Sequence, residues 1–150
     1  PLIGRYRDKY CWLNMPYNEL ASTIHDKIGD SPAIIVASDM RIAGNMRLLF
    51  PKLPVISKDQ QYLTDRIVGA SRNHLHPSTV VVVTDRSEAG EQNKLMAFAQ
   101  QVQQLPAAAS DDWRTVDVDY LYGTCDSHQQ FFLRELAGQR VALRDARQRR

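Results

Sequence analysis

The spacing of apolar positions changes several times along the chain, and each change marks an element. Tyr17, Leu20, Ile24 and Ile28 recur at helical intervals after Pro16, with Gly29 placed to end that helix. Residues 33–37, "AIIVA", run without interruption between turn residues, the pattern of a strand covered on both faces. Ile42, Met46 and Leu49 then define one face of a short helix that Pro51 stops. "LPVIS", 53–57, predicts a second short strand, and 59–74 predicts a helix with Leu63, Ile67 and Ala70 inward. Residues 80–83, all valine, are the third strand.

Beyond them, Leu95, Phe98, Val102 and Leu105 repeat at intervals of three and four and predict an amphipathic helix over 91–105. Val116, Val118 and Tyr120 alternate with Asp117 and Asp119, the period of a half-exposed strand near a sheet edge. "HQQFFLRELAG" fits a last helix or a continuing strand pair. Alternating strands and helices of this length predict an α/β fold. The expected arrangement is three-layer and Rossmann-like, with a mainly parallel sheet of four or five strands and helices on both faces. Ligands of such sheets sit beyond the carboxyl ends of the strands.

A chain of 150 residues suits one α/β domain, residues 1–150, and such a length buries about 70% of its unfolded surface. With 43% hydrophobic and 24% charged residues, disorder and fibrous classes are excluded. The net charge of +2 does not advertise a nucleic-acid surface, and Arg140, Arg144, Arg147, Arg149 and Arg150 place much of the excess at one end. Such an end reads as a solvated terminus. Cys11 and Cys125 belong to no C-x-x-C pair and are compatible with one disulfide or with two thiols. No apolar run reaches the roughly 18 residues that span a bilayer. The chain opens on Pro1 rather than Met, and the expectation is a piece of a longer protein.

Candidate chemistry gathers at two strand ends written alike, "ASDMR" and "VTDRS". Asp39 and Asp85 could hold Mg²⁺ with substrate oxygens, or could cap the helices that follow. Capping is the favoured reading, with Arg41 and Arg86 pairing these acids or reaching an anion. Neither G-x-G-x-x-G nor G-x-x-x-x-G-K-[ST] occurs, so the usual backbone cradle for a nucleotide phosphate is missing. Gly44 reads as a close-packing position. His74 and His76 beside Pro77 fit a polar loop better than a chelate, and "GTCDSH" reads as an acidic loop rather than a Cys125–His128 nucleophile pair. Tyr120, Tyr122, Phe131 and Phe132 could stack on a sugar or lipid, although packing is the commoner use of such residues. Neither cofactor nor metal is expected.

Taken in order, "GRYRDKYCW", "YNELASTIHDKI", "IIVASDMRIAGNMRLLF", "VVVVTDR" and "VDYLYG" resemble the soluble C-terminal domain of bacterial membrane glycosyltransferases of the protein-mannosyltransferase-like (PMT) type. These enzymes use polyprenyl-phosphate sugars, and the superfamily includes aminoarabinose transferases. Leu49 and Phe50 stand where that family tends to carry paired aromatics, which is a departure. The resemblance implies a domain on the periplasmic side of the inner membrane that covers the transfer site and helps to select an acceptor. The catalytic acid, the donor site and the transmembrane helices would lie upstream. Its partners would be that transmembrane domain and a glycan, lipid or protein acceptor, with Asp39, Arg41, Asp85, Arg86, Tyr120 and Tyr122 as substrate-binding candidates. A Cys11–Cys125 disulfide would be permitted by that compartment. Two rival readings are a stand-alone nucleotide- or Mg-binding enzyme using Asp39 and Asp85, and an interaction domain without a small-molecule site.

Overall fold

Short apolar runs become strands here because β-branched side chains fill both faces of a pleated sheet, while three- and four-residue spacings become helices laid against it. The computed structural model describes residues 17–60, 79–103, 112–119 and 128–137. In chain order these form α1 (Tyr17–Ile28), β1 (Ala33–Ala37), α2 (Met40–Leu49), β2 (Val55–Ser57), β3 (Thr79–Thr84), α3 (Ala89–Gln103), β4 (Arg114–Val118) and β5 (Gln129–Ala137). The expected lead-in over 1–16, most of the expected helix over 59–74, and Cys11, His74, His76, Tyr120, Tyr122, Cys125 and the arginine-rich end lie outside the described residues.

The five strands form one sheet in the order β2-β1-β3-β5-β4. β1 runs parallel to β2 and to β3, with Ala37 opposite both Ser57 and Val83. β5 runs antiparallel to β3, with Val82 opposite Arg134, and antiparallel to β4. This overturns the expected mainly parallel, three-layer Rossmann-like fold, because half of the pairings are antiparallel and the sheet is mixed. The cause is visible in the spacing. A parallel return needs a crossover of about a dozen residues or more, usually helical, whereas β4 and β5 are separated only by residues 119–128. The segment that fitted either a helix or a strand is β5, drawn into the sheet by six paired positions on β3.

Alternation along the strands feeds two cores. Ile35, Ala37, Val81, Val83, Phe131 and Leu133 pack with Leu20 and Ile24 of α1 and Ile42 and Met46 of α2. Ile34, Val36, Val80, Val82 and Leu136 pack on the other face with Leu95, Met96 and Ala99 of α3. Phe131 is fully buried, its ring 5.8 Å from that of Tyr17, so this phenylalanine is core and not a stacking platform. Glu135 and Arg134 show the same alternation in charge. Glu135 reaches Lys27 of α1 at 3.9 Å, while the Arg134 guanidinium lies 5.9 Å from the Trp113 ring.

Helix ends follow their residues. Gly29 adopts φ 53° and its N–H donates to His25 O at 2.8 Å, the left-handed cap that glycine adopts without Cβ strain. Phe50 closes α2, its N–H donating to Met46 O, which leaves Leu49 at the rim and 37% exposed rather than inward. Gly44 is a second correction. A Cβ built there meets nothing within 4 Å, so no close approach demands glycine in the middle of α2. Gly44→Ala is therefore expected to raise stability by about 0.4–1 kcal/mol in denaturant unfolding, because alanine restricts the unfolded chain and favours the helix.

Candidate functional site

Because β1, β2 and β3 are parallel, their carboxyl ends and the polar residues after them emerge at one edge of the sheet. Backbone bonds fasten these ends together. Ser38 N–H donates to Val83 O at 3.0 Å, and Lys58 N–H donates to Ala37 O at 3.0 Å. The three segments Ser38-Asp39, Lys58-Asp59 and Thr84-Asp85-Arg86 thus face one another across a short distance.

Asp39 is the N-cap of α2. Its backbone is extended at φ −145°, and Oδ1 accepts from Ile42 N–H at 3.0 Å. Asp85 does not repeat this role, since α3 starts only at Ala89, where the Glu88 carbonyl accepts from Glu91 and Gln92. The Asp85 carboxylate is instead bound to the Arg41 guanidinium through Nη2 and Oδ2. The same Arg41 nitrogen lies 3.8 Å from Asp39 Oδ2, so one arginine bridges the two acids. Burial by itself would pull the Arg41 pKa down. Tyr17 of α1, Asp85 and Asp39 outweigh it and hold the guanidinium above its ordinary value. On the far side Arg86 Nε stands 3.6 Å from Asp85 Oδ1, and most of the Arg86 side chain remains exposed.

Side chains fix the loop after β3 as well. Thr84 Oγ1 accepts from Arg86 N–H at 3.0 Å, and Gln92 Nε2, on a buried residue, donates to the Arg86 carbonyl at 2.9 Å. Across from it, Lys58 Nζ is 3.5 Å from Glu91 Oε2, and Lys94 Nζ is 2.7 Å from Glu91 Oε1. The hydrogen bond from Lys94, then its charge and that of Lys58, hold the Glu91 carboxyl below its usual range.

Two cavities open at this edge. One, of about 160 Å³, is lined by Ser38, Asp39, Lys58, Asp59, Thr84, Arg86, Glu91 and Leu95. The other, of about 350 Å³, lies against Arg41, Asp85, Arg86, Ser87, Glu88 and Gln129, so Arg86 belongs to both. Two polar atoms are buried here without a hydrogen bond, Ser38 Oγ and Asp85 Oδ1. His128, elsewhere on the surface, faces Asp117 of β4 at 3.8 Å, both side chains more than half exposed. Among the described residues, no three His, Cys, Asp or Glu side chains are gathered in a way that could hold a metal ion.

Of the residues singled out in the sequence, Asp39, Arg41, Asp85 and Arg86 are brought together, while Tyr120 and Tyr122 lie outside the described residues. Lys58, Asp59 and Glu91 were missed. The signal was present in "VISKD", a third apolar run ending in a serine and a charged pair, parallel to the other two. Comparison with protein-family models, with curated proteins and with solved structures finds no match.

Two substitutions separate the roles of this cluster. Asp39→Ala is expected to cost about 0.5–2 kcal/mol in urea unfolding and Asp39→Asn far less, since asparagine caps equally well. Arg41→Met is expected to cost about 1.5 kcal/mol, the lower end for a hydrogen bond between charged groups because the pair is partly exposed. Adding Asp85→Asn to Arg41→Met should recover part of that loss, measured as a double-mutant cycle.

Proposed function

We propose that this chain is the extracytoplasmic domain of a PMT-type membrane glycosyltransferase that uses a polyprenyl-phosphate sugar, with an accessory role in acceptor recognition and no catalysis of its own. The family part of this reading rests on the order of segments in the sequence, from "GRYRDKYCW" to "VDYLYG". The part that concerns its role rests on one observation, the Arg41 guanidinium lodged between Asp39 and Asp85.

A catalytic acid, base or Mg²⁺ ligand needs a carboxylate with lone pairs turned to the substrate or ion. Here one Asp39 oxygen caps α2 and the other faces Arg41, while Asp85 is divided between two arginines. The guanidinium already neutralises the place that a divalent ion would take between the two acids. This favours recognition over the stand-alone Mg-dependent enzyme. No helix among the described residues is long and apolar enough to cross a membrane, so on this reading the membrane-spanning part and the transfer chemistry belong to an upstream region. The domain would then stand at the periplasmic face of the inner membrane with its strand ends turned toward the acceptor.

The reading frame upstream of Pro1 is expected to encode several apolar segments of about 20 residues. In membranes containing the whole enzyme, deleting this domain should abolish sugar transfer from a polyprenyl-phosphate donor, and the isolated domain should transfer nothing. A start codon immediately before Pro1, or full transfer after the deletion, would refute the assignment.

A further inference from the structure

We infer that the outward face of α2, with the turn that follows it, is a docking surface for an anionic lipid bilayer, into which Leu48 inserts. Neither the family reading nor the cavities at the strand ends enter into this assignment.

The polarity of the helix comes first. A helix packed on a sheet normally turns its polar residues to water. α2 buries Ile42, Ala43 and Met46, yet its outward positions are Met40, Gly44 and Leu48, one at every fourth residue. Leu48 is 80% exposed, Met40 53% and Leu49 37%, and these are the large hydrophobic side chains exposed among the described residues. The polar side chains of α2 are turned back onto the protein. Arg41 binds Asp85, Asn45 donates to the Arg41 carbonyl, and Arg47 donates to Val55 O and to Gln60 Oε1, each at 3.3 Å. One exposed leucine is ordinary, whereas three exposed apolar residues on a ten-residue helix whose polar heads are withdrawn form a patch.

Charge selects the occupant. From Met40 to Lys58 stand Arg41, Arg47, Lys52 and Lys58, and no Asp or Glu. Arg41 is neutralised by Asp39 and Asp85, and Lys58 is paired with Glu91, so neither adds to the local field. Arg47 bonds to uncharged partners, and the exposed Lys52 meets no carboxylate among the described residues. Two uncompensated cations thus flank Leu48, Leu49 and Pro51, the pairing of apolar and basic residues with which peripheral helices settle among anionic headgroups. A second copy is a poorer occupant. A two-fold contact through this face would gather the same two cations from each copy and no acid.

The neighbouring helix limits the contact. α1 lies on the same side of the sheet but presents Glu19, Asp26 and, just beyond its end, Asp30, all exposed. Anionic headgroups repel these acids. α1 lies toward β4, whereas α2 lies over β1 and the edge strand β2, so the chain docks tilted, with α2 down and α1 held off. Leu48 sits about 12 Å along the helix from Met40, away from the strand ends, and the edge that holds Asp39 and Asp85 stays open.

The experiment is co-sedimentation of the purified chain with large vesicles of phosphatidylcholine, alone or with about 30% phosphatidylglycerol. The chain is expected to bind the anionic vesicles at low salt at least about fivefold better than the neutral ones, and to be released as sodium chloride reaches about 0.5 M. Leu48→Ser, an uncharged change at an exposed position, should weaken binding about tenfold without moving Tm. Lys52→Gln should weaken it about fivefold. The arginine-rich end is the internal control, and Arg147→Gln with Arg149→Gln should leave the loss caused by Leu48→Ser in place. No binding to anionic vesicles, equal binding by Leu48→Ser and the parent, or equal binding to both vesicle types overturns the assignment. So does a dimer that Leu48→Ser dissociates in the absence of lipid, which would make this face an interface between copies. Vesicle binding by a chain whose upstream frame lacks apolar segments would keep this surface and remove the family reading.

Discussion

Strand β3 is the constraint on which the rest depends. Its four valines, Val80–Val83, are at most 1% exposed, Val81 and Val83 toward α1 and α2, Val80 and Val82 toward α3. It is also the strand where the two halves of the sheet meet, paired in parallel with β1 and in antiparallel with β5. Both cores and both pairing modes thus converge on six residues. Because side chains alternate across a strand, a one-residue slip of β3 would exchange every valine between the two cores and separate Thr84 and Asp85 from Ser38 and Asp39. The site exists because that register is held by buried apolar area rather than by the polar residues themselves.

The parallel half of the fold was legible because buried parallel strands read as unbroken apolar runs, and "AIIVA" and "VVVV" have no other comfortable setting. The antiparallel half was not. In "HQQFFLREL" the apolar residues Phe131, Phe132, Leu133 and Leu136 satisfy a period of two on either face and also a four-residue helical step from Phe132 to Leu136. Local pattern could not decide between them. What decides is the open hydrogen-bonding edge of β3, a tertiary fact that no window of neighbouring residues contains.

Within the site, the acids were legible and their division of labour only partly so. An aspartate after a strand looks like a cap, and Asp39 is one because α2 begins at the next residue. Asp85 has the same local context, yet α3 starts four residues later, which frees its carboxylate for Arg41, distant in sequence and adjacent in space. The lining contributed by Lys58 and Asp59 escaped notice although 53–57 reads as a strand, because "SKD" lacks the acid-and-arginine pairing that marks the other two strand ends. Gly44 failed in the opposite way. A glycine inside a helix invites a packing explanation, and the space around it shows none is needed.

Arg41 also explains how an edge built from three separate loops can keep one shape. The backbone bonds from Ser38 to β3 and from Lys58 to β1 align the loops along the strand direction, and the Arg41 bridge from Asp39 to Asp85 ties two of them laterally. Asn45 Nδ2, one turn on, donates to the Arg41 carbonyl at 2.8 Å and steadies the first turn of α2 that presents the guanidinium. Ordering these side chains costs entropy, and here folding has already met that cost before any ligand arrives. The arginine that neutralises Asp39 and Asp85 is therefore the same group that holds their two loops together.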